Sequence, residues 1–162
     1  KVVHTLARAG LAENIATLRF NFRGVGSSEG SFDEGIGETE DAYAMYEWLR
    51  AQRPELPLVL AGFSFGAAVA LRLAARVEAS LLVSIAPPLR YFDHDTIPVP
   101  QCRWLVIHGD ADDVVDCDET QQRLRASGLE HEHHILRGAG HFFHGRLPEL
   151  RELVRPSLAA VR

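Results

Sequence analysis

Cysteine is scarce in this sequence, and its two residues, Cys102 and Cys117, match no metal-binding spacing. Small secreted domains stapled by disulfides carry many more cysteines. We therefore expect two free thiols, a reducing cytoplasmic location, and neither a metal site nor a cofactor.

Long apolar runs and basic clusters are missing as well. The longest apolar runs are strand-sized, well short of the ~20 residues of a membrane helix, so no membrane partner is expected. The 17 basic and 22 acidic side chains give a formal charge of −5, and the basic ones form no stripe, which argues against a nucleic-acid partner. Repeats and low-complexity tracts are also lacking. With 162 residues, 46% of them hydrophobic, the chain has the size and composition of one globular domain.

What the sequence does contain is an alternation of strand and helix patterns. Helical spacing of apolar residues predicts helices over 2–9, with Gly10 as a stop, and over 38–50, after residue 64, over 117–126 and from 147 onward. Apolar or alternating runs predict strands over 15–22, 58–61, 80–86, 104–107 and 132–136. Because most of these strands are continuously apolar, we expect the α/β class, a mostly parallel sheet with helices on both faces.

The segment 62–66, Gly-Phe-Ser-Phe-Gly, joins a predicted strand to a predicted helix. A G-x-S-x-G in this context is typical of a nucleophile elbow, a strained turn that presents a serine above a sheet. A Cβ at either flanking glycine is expected to collide where strand and helix approach. The alternative is a glycine-rich turn that contains an incidental serine.

Acidic residues and histidines follow two later strands. Asp110, Asp112 and Asp113 come after the strand ending at residue 107, and His141 and His144 follow the strand ending near residue 136. Ligands of parallel sheets bind at the carboxyl ends of the strands, where these residues are expected to meet Ser64. A serine hydroxyl needs a base to take its proton, and the acid orients that base.

Four segments together resemble the α/β-hydrolase superfamily, and specifically its small, lidless bacterial serine hydrolases: 21–28, 62–66, 108–112 and 140–143. The resemblance implies a carboxylesterase-like enzyme that cleaves small or accessible esters through an acyl-enzyme intermediate. Ser64 would be the nucleophile, Asp112 the orienting acid, His141 the base and the Phe65 backbone N–H an oxyanion donor. The family pattern favours Asp112 over Asp110 and Asp113, which would then be loop and helix-cap residues, and His144 is the alternative base.

The resemblance also implies an apolar pocket and an open site. Its candidate walls are Phe63, Phe65, Tyr91, Phe92, Phe142 and Phe143, although each is otherwise ordinary core or surface. The irregular stretch 89–101 is too short for a folded lid, which favours a small-molecule ester as substrate.

The sequence departs from the family at its start. The family has an antiparallel hairpin and a further strand before the first helix of this chain. That further strand normally lies between the strands represented here by 15–22 and 58–63, and the loop after it supplies the second oxyanion donor. We therefore expect residues 1–162 to form a single α/β-hydrolase domain that is incomplete at its N-terminus, with a gap in its sheet.

Other interpretations stay open. The glycine-rich loop 23–30 matches neither phosphate-binding pattern, so a structural role is favoured. His131 and His133 share a strand face that His134 does not, which argues against a metal site. Thioesterases, peptidases and lactonases use the same triad, and a non-catalytic binding protein could keep the fold. The sequence carries no signal for an oligomeric state.

Overall fold

The computed structural model describes residues 1–92 and 96–161. Within them the helices are α1 (Val2–Ala12), α2 (Ile36–Gln52), α3 (Phe65–Ala74), α4 (Cys117–Ser127) and α5 (Leu147–Ala159). The strands are β1 (Val59–Phe63), β2 (Leu81–Ile85), β3 (Arg103–Gly109) and β4 (Glu132–Leu136). A short 3₁₀ helix spans Leu89–Tyr91.

The four strands form one parallel sheet in the order β1-β2-β3-β4. All five residues of β2 are buried, as expected for an interior parallel strand whose two faces are both covered. The expected α/β class and parallel sheet are confirmed.

Helices cover both faces of the sheet. On one face, α1 and α5 bury Leu6 and Val154 against Val83 of β2. On the other face, α3 and α4 pack against Leu82 and Val106. The helix α2 lies outside α3, where Ala42 contacts the cluster that contains Val69. Ser64, Asp112 and His141 follow the carboxyl ends of β1, β3 and β4.

The prediction of a strand over residues 15–22 is wrong. Within the described part of the chain this segment has no ladder partner, and Leu18 and Phe20 are exposed. An apolar groove of about 380 Å³ separates residues 15–19 from β1, and Val59 and Ala61 line its other side. The alternating side chains are typical of a strand, but a strand forms only where a neighbour accepts its hydrogen bonds. The predicted gap beside β1 is therefore confirmed.

Gly10 does not end the first helix, contrary to expectation. The helix continues to Ala12, and the Gly10 carbonyl accepts a hydrogen bond of 2.9 Å from the Ile15 N–H. A Cβ at Gly10 would lie 2.9 Å from the Thr17 Cγ2 atom. The glycine therefore makes room for the returning segment, which is a packing role that helical spacing alone does not reveal.

Candidate active site

Ser64 lies at the turn between β1 and α3, with φ 52° and ψ −124°. This conformation is sparsely populated by residues with a side chain, and such strain is concentrated at functional sites. The Ser64 N–H donates a 2.8 Å hydrogen bond to the Ile85 carbonyl at the end of β2, which fixes the turn to the sheet. The geometry is that of a nucleophile elbow.

Only one of the two flanking glycines is required sterically. A Cβ at Gly62 would collide with the Gly66 carbonyl and with Ala67, because strand and helix cross closely there. A Cβ at Gly66 would meet only the Phe22 ring, at an ordinary 3.9 Å. The expected collision at both glycines is therefore corrected to a collision at Gly62.

The first turn of α3 directs backbone N–H groups towards the carboxyl edge of the sheet. The Ala67 N–H already bonds to the Ser64 carbonyl at 2.8 Å. Phe65, the first residue of the helix, has no intrahelical acceptor for its N–H. The N-terminal end of a helix carries a partial positive charge, which suits an anion next to Ser64.

Asp112 and His141 are in direct contact at the same edge of the sheet. The His141 Nδ1 atom lies 2.8 Å from the Asp112 Oδ2 atom, and the two side chains are 3% and 0% exposed. Because an ionised carboxylate only accepts, Nδ1 carries the proton and Nε2 keeps its lone pair. The His141 ring packs 4.9 Å from that of Phe63, the residue before Ser64. A histidine ring that donates from Nδ1 thus lies beside the elbow.

The Asp112 carboxylate is held by further donors. Its Oδ1 atom accepts hydrogen bonds from the N–H groups of Val114 at 2.9 Å and Val115 at 2.8 Å. The His108 Nε2 atom lies 3.2 Å from Oδ2. Burial would raise the pKa of Asp112, but the hydrogen bonds from Val115, His141 and Val114 hold that pKa below its ordinary value. Asp112 is therefore ionised at neutral pH.

The alternative candidates for the acid and the base make other contacts. Asp110 is exposed and accepts a hydrogen bond from the Gly138 N–H. Asp113 is exposed and does not cap α4, contrary to expectation, because Asp116 accepts the bond from the Glu119 N–H at 2.7 Å. His144 is exposed and stacks on Phe142, with ring centroids 5.9 Å apart.

The predicted pocket aromatics fall into two groups. Phe142 and Tyr91 are 54% and 51% exposed, and Phe142 lies 6.1 Å from the half-buried Phe63 ring. Phe92 and Phe143 are instead 6% and 0% exposed, within the hydrophobic core. The structure therefore leaves Phe63, Tyr91 and Phe142 as candidate substrate contacts and corrects Phe92 and Phe143 to core residues. The sixth ring, the partly buried Phe65, packs against Phe22 at 5.8 Å.

Sequence reasoning missed Phe32 as a neighbour of the elbow. Its ring is 67% exposed and lies 5.6 Å from the Phe65 ring. The loop that carries it is anchored by the buried Glu38 carboxylate, which accepts from the N–H groups of Asp33 and Gly35. The capping residue Glu38 three positions after a glycine was a usable signal for this ordered loop.

The glycine-rich loop 23–30 has the structural anchor that was expected of it. Arg23 donates to both carboxylate oxygens of Asp41 on α2, with the closest pair 2.8 Å apart. The Arg23 backbone N–H bonds to the same carboxylate at 2.9 Å. The arginine is engaged within the protein, which leaves the structural role favoured over phosphate binding.

The histidines near β4 do not converge. The rings of His131 and His133 lie 6.0 Å apart on one face, whereas His134 bonds to Glu132. Across residues 1–92 and 96–161, no group of three or more His, Cys, Asp or Glu residues is placed to hold a metal ion. In the same ranges, no helix combines the length and apolar character needed to cross a membrane.

A serine elbow and a buried Asp–His pair at one edge of a parallel sheet together define the class of α/β serine hydrolases. The chain belongs to the alpha/beta hydrolase family, whose model matches residues 2–101. Its fold is that of this family without a lid, and this supports hydrolase activity.

Solved structures agree with this assignment. An alpha-beta serine hydrolase homologue from Coxiella burnetii is 42% identical with a TM-score of 0.91, and the match covers 98% of this chain and 76% of that one. An α/β serine hydrolase without a lid from Xanthomonas campestris is 45% identical with a TM-score of 0.91, covering 99% of this chain and 75% of the other.

The similar curated proteins are uncharacterised. One from Rickettsia prowazekii is 30% identical over 172 residues, covering all of this chain and 72% of the relative. Another from Mycobacterium tuberculosis is 31% identical over 150 residues, covering 78% of this chain, and the match spans only about half, 53%, of that relative.

Proposed function

We propose that the protein is a serine hydrolase that cleaves small or accessible carboxylic esters through an acyl-enzyme intermediate. Ser64 is the nucleophile, His141 the general base and Asp112 the acid that orients His141. The observation that carries the proposal is the 2.8 Å contact between His141 Nδ1 and Asp112 Oδ2, buried beside the strained serine turn.

The reaction proceeds in two acyl transfers. The His141 Nε2 atom takes the Ser64 hydroxyl proton while the oxygen attacks the ester carbonyl, and the same proton then passes to the departing alkoxide. Water then attacks the acyl carbonyl carbon and loses a proton to Nε2, and this proton passes to the Ser64 oxygen as its bond to the acyl group breaks, which releases the carboxylic acid and regenerates the serine. In both halves Asp112 stabilises the imidazolium formed on His141.

The Phe65 N–H stabilises the developing oxyanion. It belongs to the first turn of α3, so the partial positive charge at the helix N-terminus acts in the same direction. Removing one donor of an oxyanion hole costs about 10²–10³ in rate in other enzymes. A backbone donor is preorganised, because the elbow is fixed to the sheet through the Ser64 N–H.

The surroundings of the site favour short or exposed esters. Between β2 and β3, the only helix among the described residues is the short 3₁₀ helix Leu89–Tyr91, which argues against a folded lid over Ser64. The exposed rings of Phe142 and Tyr91 offer apolar surface to an acyl or alkyl group. A site of this kind suits a small-molecule ester more than a buried long-chain lipid.

Hydrolysis of p-nitrophenyl acetate and butyrate by the purified protein tests the proposal. We expect Ser64→Ala to abolish hydrolysis and Ser28→Ala, a change of an exposed loop serine, to leave it unchanged. Activity that survives in Ser64→Ala would exclude Ser64 as the nucleophile. If the wild-type protein turns over thioesters or lactones but not these esters, the triad stands and the substrate class is wrong.

A further inference from the structure

His108 is a fully buried histidine next to the site that the proposed mechanism does not use. It is the penultimate residue of β3, opposite Ile135 of β4, and its side chain is 0% exposed. Burying an imidazole costs free energy unless its nitrogens form hydrogen bonds. Of the two ring nitrogens of His108, Nε2 has hydrogen-bond acceptors nearby, whereas Nδ1 has no partner among the described residues. This difference determines which nitrogen carries the proton.

The His108 Nε2 atom carries the proton. It lies 2.9 Å from the Val115 carbonyl oxygen, which can only accept, and 3.2 Å from the Asp112 Oδ2 atom. The N–H group is hydrogen-bonded to the Val115 carbonyl and lies next to the Asp112 carboxylate. The Nδ1 atom is buried and has no partner among the described residues, so a proton there would find no acceptor. Burial also lowers the pKa of His108, which keeps the ring neutral.

With His108 included, both oxygens of the Asp112 carboxylate have two N–H groups within 3.2 Å. The Oδ1 atom accepts from the backbone N–H groups of Val114 and Val115. The Oδ2 atom accepts from Nδ1 of His141, and Nε2 of His108 lies 3.2 Å from it. Rotation of the carboxylate would break the three hydrogen bonds and would move Oδ2 away from the His108 N–H.

We propose that His108 is a positioning residue that acts through Asp112. Its neutral N–H holds the Oδ2 atom in line with His141 and moderates the negative charge that His141 experiences. The effect of His108 on catalysis rests on the proposed function, whereas its positioning of the Asp112 carboxylate does not.

A neutral donor differs from a cationic one in its effect on the base. A protonated His108 would repel the imidazolium that forms on His141 and would cancel part of the Asp112 charge. The neutral ring orients the carboxylate and weakens its charge far less than a cation would. The other titratable ring facing this region is His133 on β4, where burial lowers the pKa to about 4, so it too is neutral at working pH.

The tautomer of His108 can be tested in the unmodified protein. We expect ¹⁵N NMR of the histidine rings to show His108 neutral, with its proton on Nε2, at pH 7 and above. A proton on Nδ1, or a charged His108 ring at pH 7, would overturn the proposal. This measurement needs neither a variant nor a substrate.

Two substitutions separate positioning from packing. His108→Phe keeps most of the ring volume but removes the donor, whereas His108→Gln retains an N–H near the position of Nε2. In His108→Phe the Oδ2 charge acts on His141 alone, so we expect the pKa of His141, followed by NMR, to rise by about half a unit to one unit. In His108→Gln it should stay within about 0.3 units of the wild type. Equal pKa values of His141 in the folded wild type and His108→Phe would refute the proposal.

Kinetics provide the second readout. We expect kcat/KM of His108→Phe to fall about 10-fold, with the acid limb of its pH profile moved to higher pH, and His108→Gln to recover most of the loss. Added to Asp112→Asn, His108→Phe should cost nothing further, because it acts through the carboxylate. A purely structural role would lower activity without moving the acid limb. If the wild type hydrolyses no ester, the proposed function fails while the NMR titration still decides the role of His108.

Discussion

Replacing Asp112 by asparagine exchanges one carboxylate oxygen, an acceptor, for an NH₂ group, a donor. The Oδ1 atom accepts from two backbone N–H groups, those of Val114 and Val115, whose positions are fixed. The asparagine oxygen must therefore stay there, and its NH₂ group takes the place of Oδ2. The NH₂ group then faces the Nδ1–H of His141, so that two hydrogen-bond donors point at each other.

The clash is relieved if the His141 proton moves from Nδ1 to Nε2, and Nε2 can then no longer accept the Ser64 proton. The same substitution in a comparable triad lowers kcat about 10⁴-fold. We therefore expect kcat/KM of Asp112→Asn to fall about 10³- to 10⁴-fold.

Initial rates with p-nitrophenyl acetate measure this loss, and circular dichroism checks that the variant folds. Asp110→Asn is the matched control, because this exposed aspartate accepts its hydrogen bond from the Gly138 N–H and not from a histidine. It should retain activity within about three-fold, since exposed substitutions are usually near neutral. Equal losses in both variants, or a loss below about 10-fold in Asp112→Asn, would refute this reasoning.

Three further predictions concern stability and substrate contacts. The folded pKa of Asp112 lies below its ordinary value, so the ionised carboxylate stabilises the fold above about pH 4 and this stabilisation is lost as the pH falls further. The difference in unfolding free energy between wild type and Asp112→Asn should therefore become smaller as the pH of the unfolding experiment is lowered. Gly62→Ala should destabilise the protein by about 1–3 kcal/mol or more in urea unfolding, whereas Gly66→Ala should change stability by less than about 1 kcal/mol. Phe142→Ala should raise KM for p-nitrophenyl butyrate about 3- to 10-fold with kcat nearly unchanged, while Trp48→Ala on α2, similarly exposed, should not; equal KM values in both variants would exclude the Phe142 contact.

The sheet and its helices were predictable because their signals are local. Continuous apolar runs such as that of β2 indicate buried parallel strands, and the elbow sequence around Ser64 combines a strand, a turn and a helix within a few residues. The chain order of Ser64, Asp112 and His141 at strand ends allowed their proximity to be expected.

The features that sequence reasoning missed depend on distant partners. Residues 15–22 alternate like a strand but have no neighbour to bond, and no local pattern reveals that. A glycine is needed at position 10 because Thr17, on the segment that returns after α1, leaves no room for a Cβ atom. The contact of His108 with Asp112 arises because the chain folds back after β3, and no local pattern reveals it.

Labelling with a fluorophosphonate probe, followed by peptide mass spectrometry, tests the central claim most directly. The probe phosphonylates a serine only when a base activates it, and it requires no knowledge of the natural substrate. We expect a single adduct on Ser64 in the wild type, and none in Ser64→Ala. Labelling should be strongly reduced in His141→Ala. An unlabelled Ser64 in the folded wild-type protein would contradict the assignment of this site as a serine nucleophile.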